Sequence, residues 1–242
     1  SLIIGWFFPS YYVGLYTSSV KVNEFLIILP TGISLAILPL LSQNLASKSK
    51  LKEILELSFK LSFLLTLPVI VSIFILGDEA INFIFGRDYL PATYALKILV
   101  PSLFPTTIFM IFSQFLIAID KRKELIFYDG LAFLTNFLLN LLLIPYFDYI
   151  GAAYVTSLTN FLLFLWGYYL VKKYIDFEFW PLALKPFLAS LLIVPLLFLL
   201  SSLNLFFNIF ISLLAYFLAL FWLKEELMQL SLIHISEPTR QA

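Results

Sequence analysis

The chain has 242 residues, of which 62% are apolar, 18% aromatic and only 12% charged. Its mean hydropathy is +0.99, whereas soluble domains carry about a quarter charged residues, so water is excluded as the main solvent. Zero formal net charge gives no reason to expect nucleic acid as a partner, and the absence of cysteine excludes disulfides, thiolate catalysis and thiolate metal sites.

Short clusters of charge separate apolar runs of about 20 residues, the length that spans ~30 Å of hydrocarbon. Runs such as Leu191 to Leu200 do not alternate, so the spans read as helices rather than strands of a β-barrel. The chain opens at Ser1 inside the apolar run 1–8, without an initiator Met, basic segment or cleavage site, so an upstream portion is expected. Full spans follow at 13–40, 54–76, 91–118, 126–145, 151–171, 183–202 and 205–223. The expected fold is all-α, a polytopic transmembrane helix bundle of about seven full spans and a partial first one. Pro30 and Pro39 in one span, and Pro101 and Pro105 in another, each remove a backbone donor and predict kinks. Gly77 to Leu90 reads as the longest stretch outside the bilayer, with Phe83 and Phe85 as interfacial anchors. The polar segment Ile175–Trp180 reads as a separator between the last two spans and the rest.

Basic residues test this arrangement independently, because Lys and Arg accumulate in short cytoplasmic loops. Lys48, Lys50 and Lys52 mark one side; the 77–90 stretch holds only Arg87 among Asp78, Glu79 and Asp88. Lys121, Arg122 and Lys123 return to the first side, the 146–150 turn has no basic residue, and Lys172, Lys173 and Lys185 follow. The 201–204 turn is uncharged and Lys224 closes the last span, so every crossing agrees and the turn at Pro9 to Tyr12 faces outside.

The single histidine, His234, lies in a polar tail with no HExxH or Gly-rich phosphate loop in the chain. No catalytic residue, metal or cofactor is expected, and the protein does not read as an enzyme. The segment from Ser231 to Ala242 resembles translated sequencing-adapter read-through, and 230–242 is expected to be a non-native tail.

Four passages carry a family resemblance. Val13-Gly-Leu-Tyr-Thr-Ser-Ser19, with Leu29-Pro and Leu38-Pro-Leu-Leu-Ser42 downstream, is similar to a helix patterned "GlY…lP…lfPlls". Ile84-Phe-Gly-Arg-Asp-Tyr-Leu-Pro-Ala92, followed by Ala95-Leu-Lys-Ile-Leu99, resembles "lfG.ey..A…Lril". Leu116-Ile-Ala-Ile-Asp-Lys-Arg-Lys123 is similar to "Lia.gk.k", and Asn136-Phe-Leu-Leu-Asn-Leu-Leu-Leu-Ile-Pro145 through Ile150-Gly-Ala-Ala153 to "Nl.lnllLIP.yG..GAA". These patterns belong to the polysaccharide, or O-antigen, flippases of the superfamily that includes multidrug and toxin extrusion transporters. The lipid II flippases resemble the chain less well at 84–92, and Asp148-Tyr149 replaces the Gly of "yG".

The resemblance implies one lobe of a two-lobed, alternating-access flippase, with 1–173 as the core of the C-terminal lobe and 174–229 as two additional helices. It implies a bacterial cytoplasmic (inner) membrane, an N-terminal lobe of the same chain absent from these residues, and partners that are membrane lipids and a lipid-linked oligosaccharide. A cation-coupled multidrug exporter of the same superfamily, a chain inert without its other lobe, and a membrane-embedded glycosyltransferase are the competing readings. The last would need carboxylates or basic residues on a sizeable outside loop.

A diphosphate-linked sugar needs a wet path with cations in it, so intramembrane polar groups are the candidates. Thr17, Lys21, Glu24 and Thr31 recur at helical spacing and share a narrow face. Lys21 either meets phosphate in the cavity, with Glu24 tuning its charge, or forms a self-neutralised pair that faces a neighbouring helix or snorkels. Asn136, Asn140 and Asn160 either line a sugar path or hydrogen-bond between helices. Lys97 reads as snorkelling, Lys121, Arg122 and Lys123 as topology markers that also suit anionic lipid, and the phenylalanines as packing or lipid-facing surface. Gly130 and Gly151-Ala-Ala153 suit close helix approach.

Overall fold

The computed structural model describes residues 2–200 and 205–222. Ten helices account for most of them: α1 (Leu2–Phe7), α2 (Ser10–Leu26), α3 (Ile28–Gln43), α4 (Lys48–Phe85), α5 (Ala92–Leu99), α6 (Leu103–Ala118), α7 (Arg122–Lys172), α8 (Trp180–Leu192), α9 (Val194–Leu199) and α10 (Leu205–Trp222). Among the described residues there is no strand. Hydrocarbon offers no hydrogen-bond partners, so a spanning backbone must satisfy itself, and helices do this within one segment.

Four helical segments, or five when α2 and α3 are counted as one bent span, are long and apolar enough to cross a membrane. Two of them cross further than their count suggests. α7 has 51 residues, but Asp148 at φ 49°, ψ −138° folds it back on itself. The two arms, 122–147 and 149–172, then pair across their length. Glu124 accepts from the Tyr174 hydroxyl at 2.8 Å, the Tyr128 and Trp166 ring centroids lie 3.9 Å apart, and Asn136 donates to Thr159 at 3.1 Å. The helix α4, at 38 residues, is about 57 Å long, nearly twice the hydrocarbon thickness, so its lysine-bearing first turns stand clear of the bilayer.

The α2–α3 pair replaces the single span expected at 13–40. Pro30 has no N–H to give the Leu26 carbonyl, the helix breaks at Ile27, and the flanking segments bend by 46°. Pro39 sits inside a helix that runs on to Gln43, Pro101 lies in the 3-10 turn Val100–Ser102, and Pro105 falls in the first turn of α6, where a missing donor costs nothing. The stretch 77–85 is helical rather than a loop, because Ile73, Ile81 and Phe85, packed in one core cluster, keep an apolar stripe at helical spacing. The chain turns only at Gly86, whose φ of 88° suits glycine. Phe83 is exposed, as an anchor requires, while Phe85 packs on Tyr89 with ring centroids 5.8 Å apart.

Core residues segregate by end. One cluster gathers Leu41, Leu51, Phe59, Phe112, Leu116 and Val171 near the lysine-rich turns, and another gathers Leu15, Ile81, Leu96, Tyr149 and Ala152 near the opposite turns. All described basic turns except that of Arg87 thus share one end of the bundle, as the charge pattern requires. A third cluster joins Leu76 of α4 to α8, α9 and α10 through Ala189, Leu197 and Tyr216.

The segment 174–179 is not a polar separator. Ile175, Phe177 and Phe179 are buried, whereas Asp176 and Glu178 are exposed, which is the period of two of an extended strap. Phe179 packs against Phe59, Phe63, Phe104, Phe164 and Tyr168, with centroids 5.2–6.1 Å apart. The Glu178 amide donates to Glu56 at 2.8 Å. Lys172 donates to Asp176 across the strap's start; that hydrogen bond raises the Lys172 amine above its ordinary value and holds the Asp176 carboxyl below its own.

Two positive-φ residues stand where the family pattern has glycine: Asp120 (φ 59°) and Asp148 (φ 49°). An L side chain is strained there, and Asp148 offsets part of this by accepting from the Ile150 amide at 3.0 Å. One turn on, a Cβ at Gly151 would stand 2.9 Å from the Leu143 carbonyl oxygen, so only glycine lets the arms approach this closely. Gly130, by contrast, has nothing within 4 Å of such a Cβ, and Gly167 is the second close-packed position, at 2.8 Å from the Phe112 ring.

Asp148→Gly is expected to stabilise the hairpin by about 0.5–1 kcal/mol, and Gly151→Val to destabilise it by about 1–3 kcal/mol, both read as shifts in thermal unfolding in detergent. Phe179→Ala is expected to cost about 3–5 kcal/mol in the same assay. The Asp176 contribution is complete above the ordinary carboxylate value of about 3.9 and is lost as pH falls through the lower folded value. That of Lys172 is complete below about 10.4 and is lost as pH rises through the higher folded value. Amide protection of 173–179 should therefore hold through the neutral range and fall at both extremes, with Asp176→Asn removing the acid limb.

Candidate functional site

Lys21 lies about 16 Å along α2 from its first residue, close to the depth of the bilayer centre. Its Nζ donates to Glu24 Oε2 at 2.7 Å, and the two side chains are 64% and 57% exposed. The described residues leave more than half of each side chain uncovered. Turned to lipid, each charge would cost ~2.5–3.5 kcal/mol on insertion scales, so the face is fit for water or for another protein layer. Thr17 is half-buried one turn before Lys21 on the same helix. Thr31 does not continue the stripe, because the break at Ile27 re-aims it.

Asn136 and Asn140 form a second polar group on the outgoing arm of α7. Asn140 donates to the Asn136 carbonyl at 2.8 Å and to its Oδ1 at 2.9 Å, and Asn136 donates to Thr159 on the return arm. Both line a cleft of about 420 Å³ that also meets Trp6, Tyr16 and Thr156. Tyr16 and Thr156 share a hydrogen bond of 2.9 Å that ties α2 to the return arm. Sequence reasoning did not single out this pair, since each residue alone is ordinary in a membrane helix.

Asn160 belongs elsewhere. It donates to Ser102 Oγ at 3.3 Å and lines a separate cleft of about 330 Å³ between α3, α6 and the return arm of α7. There it meets Thr31 and the α6 residues Thr106, Ser113 and Gln114. The α6 residues recur at i, i+7 and i+8, a helical stripe that spacing alone could have revealed. The seven candidates thus fall into three groups: Thr17, Lys21 and Glu24; Asn136 and Asn140; and Asn160 with Thr31.

Two further features carry no such chemistry. Lys97 pairs with Asp78 at 3.1 Å, linking α5 to α4, instead of snorkelling freely. Gly77 makes room for this link, as a Cβ there would stand 3.1 Å from Thr93 and 3.5 Å from Lys97 Cε. A larger cleft of about 630 Å³, between α4, α6 and α8, is lined by Leu67, Phe104, Trp180, Phe187 and other apolar side chains. Despite its size it offers nothing to bind a polar head.

Among the described residues no three His, Cys, Asp or Glu side chains gather as a metal site; His234 lies outside them. A multi-pass helical membrane protein with polar groups in its clefts is the class these features define.

Residues 10–225 match the family profile described as "Lipid II flippase MurJ", and the chain belongs to that family. This is the branch that the motifs at 84–92 fitted less well than the polysaccharide flippases. Two curated proteins of Haloferax volcanii are similar: "Probable low-salt glycan biosynthesis flippase Agl15", 26% identical over 159 residues (65% of this chain), and "Probable flippase AglR", 28% over 166 residues (66%). In each case the matched region is 34% of the relative, so the chain spans about a third of the curated relatives it matches. The solved structure "Lipid II flippase MurJ, inward closed conformation" superposes with a TM-score of 0.83 over 93% of this chain and 50% of that one. At 18% identity it supports the fold alone.

A double-mutant cycle between Asn136→Ala and Thr159→Val is expected to give a coupling of about 0.6–1.7 kcal/mol, the range for hydrogen bonds between membrane helices. Reversible unfolding in mixed micelles measures it.

Proposed function

We propose that the chain is part of a flippase that moves a lipid-linked oligosaccharide from the inner to the outer leaflet of a cytoplasmic membrane by alternating access. The observation that carries this reading is the exposed Lys21–Glu24 pair at mid-membrane depth. A charged pair on an uncovered face is tolerated where a wet path runs beside it, and an ammonium in that path offsets the charge of a diphosphate. Glu24 lowers the net field until substrate arrives, which keeps Lys21 from binding a phosphate too tightly to release. The wall opposite is supplied by a second lobe of the same protein. Family membership supports transport of a lipid-linked saccharide, and the name of the similar Agl15, a probable glycan biosynthesis flippase, favours an oligosaccharide over lipid II. Because the two Haloferax volcanii relatives are archaeal, the bacterial inner membrane widens to the cytoplasmic membrane of either kind of cell.

The test is translocation of a fluorescent polyprenyl-diphosphate oligosaccharide in vesicles carrying the protein, beside ethidium efflux. The glycolipid is expected to move and ethidium to stay. Lys21→Gln should lower the rate by about tenfold, and Lys21→Arg should keep most of it. Efflux of ethidium without glycolipid movement would assign the multidrug reading instead.

A further inference from the structure

The cleft between α3, α6 and the return arm of α7 holds six uncharged polar residues, Thr31, Ser34, Thr106, Ser113, Gln114 and Asn160, and no ionisable one. Its volume of about 330 Å³ is at the lower end for small-molecule sites, ~300–1,000 Å³. With no lysine or carboxylate in its walls, a phosphate or a metal ion finds no counter-charge there.

The hydrogen bonds already made inside the cleft determine what a ligand must bring. Thr31 donates its hydroxyl proton to the Ile27 carbonyl at 2.8 Å, Thr106 to that of Ser102 at 2.6 Å, and Ser113 to that of Phe109 at 2.9 Å. Each hydroxyl has only one proton, so all three present lone pairs to the cleft. Asn160 spends one N–H on Ser102 and keeps a second beside its Oδ1 acceptor, and the Ser34 hydroxyl can both donate and accept. Gln114, half-buried, makes no hydrogen bond among the described residues and adds one carbonyl and two donors. Acceptor oxygens on all six residues thus outnumber the free donors of Ser34, Gln114 and Asn160, so the occupant must bring several donors and also accept. Phe109 supplies an apolar wall beside them.

We infer that this cleft reads the saccharide of the glycolipid, separately from the Lys21–Glu24 pair that meets its diphosphate. A neutral sugar carries many hydroxyl donors and apolar C–H faces, and it carries no charge to desolvate. A diphosphate at neutral pH has acceptors only, which would oppose the lone pairs of Thr31, Thr106 and Ser113. The break at Ile27 joins the two subsites. Thr31 follows Lys21 by ten residues, at most about 15 Å of helix, a separation that a diphosphate and its attached sugars can bridge. The inference rests on the flippase reading and adds to it the part of the site that selects the sugar.

The test uses the chain in lipid nanodiscs with two probes: a polyprenyl diphosphate bearing a neutral disaccharide, and the same lipid without sugar. The sugar-bearing lipid is expected to bind about tenfold more tightly. The variant Gln114→Leu/Ser113→Ala should reduce that advantage to about twofold or less while leaving the affinity for the sugar-free lipid unchanged, which also shows that the variant is folded. Gln114 is chosen because it holds no structural hydrogen bond. An advantage that survives in the variant overturns the inference. Equal binding of the two lipids by the unsubstituted protein overturns it too but leaves the flippase reading standing, whereas binding of neither overturns both. Ethidium, which carries N–H donors and a positive charge, is the third probe; if the variant loses ethidium affinity and not the sugar advantage, the cleft belongs to organic cations.

Discussion

Hydrocarbon supplies no hydrogen-bond partner, and in this chain most polar groups at membrane depth answer to that constraint, the buried Ser62 hydroxyl and Trp166 indole N–H being exceptions among the described residues. The hydroxyls of Ser18, Ser58, Thr66, Ser113 and Thr156 all donate back to the carbonyl one turn earlier in their own helix. Such bonds cost the backbone little and remove the exposed proton, but they leave lone pairs. Where these hydroxyls face a packed neighbour they are silent. Where several line one cleft, as along α6, the same local economy turns a helix face into an acceptor surface.

The constraint also governs where the chain can break. Each interruption is either at an end of the bundle or satisfied by what surrounds it. Gly86 and Asp120 turn the chain at opposite ends, Asp148 accepts its own Ile150 amide, and the strap at 174–179 anchors its backbone on Glu56 while its phenylalanines enter the core. The break at Ile27 is the exception in position, since it falls between the charged pair and the neutral cleft. A break there re-aims the second half of the span by 46°, which takes Thr31 off the stripe that Thr17, Lys21 and Glu24 share.

The strap ties α8 to the same aromatic core that holds α4, α6 and α7 together, and α10 is fixed through Tyr216, whose hydroxyl donates to the Leu64 carbonyl at 3.1 Å. The last helices are thus packed on the lobe, and the large apolar cleft is the seam between α8 and the helices it leans on. Its walls match lipid chains as well as they match each other, so no polar specificity arises there. The three polar groups lie on the other helices.

Composition and run length alone determined that the chain is a bundle of membrane helices, because burying a polar residue in hydrocarbon is too costly to leave the pattern ambiguous. The alternation of lysines determined which turns share an end, and the structure groups them as expected. Short-range rules failed where the deciding neighbour is distant in sequence. Phe177 and Phe179 looked like part of a polar linker until Phe59, Phe63 and Phe164 were beside them; Gly77 to Phe85 looked like a loop because Asp78 had no visible partner before Lys97. The candidate residues were legible as polar groups in apolar runs, but their division into an exposed charged pair, an asparagine group and a neutral cleft was not. Spacing along one helix fixes which side chains share a face; which faces meet depends on the break at Ile27 and the fold at Asp148, and only the packed helices decide those.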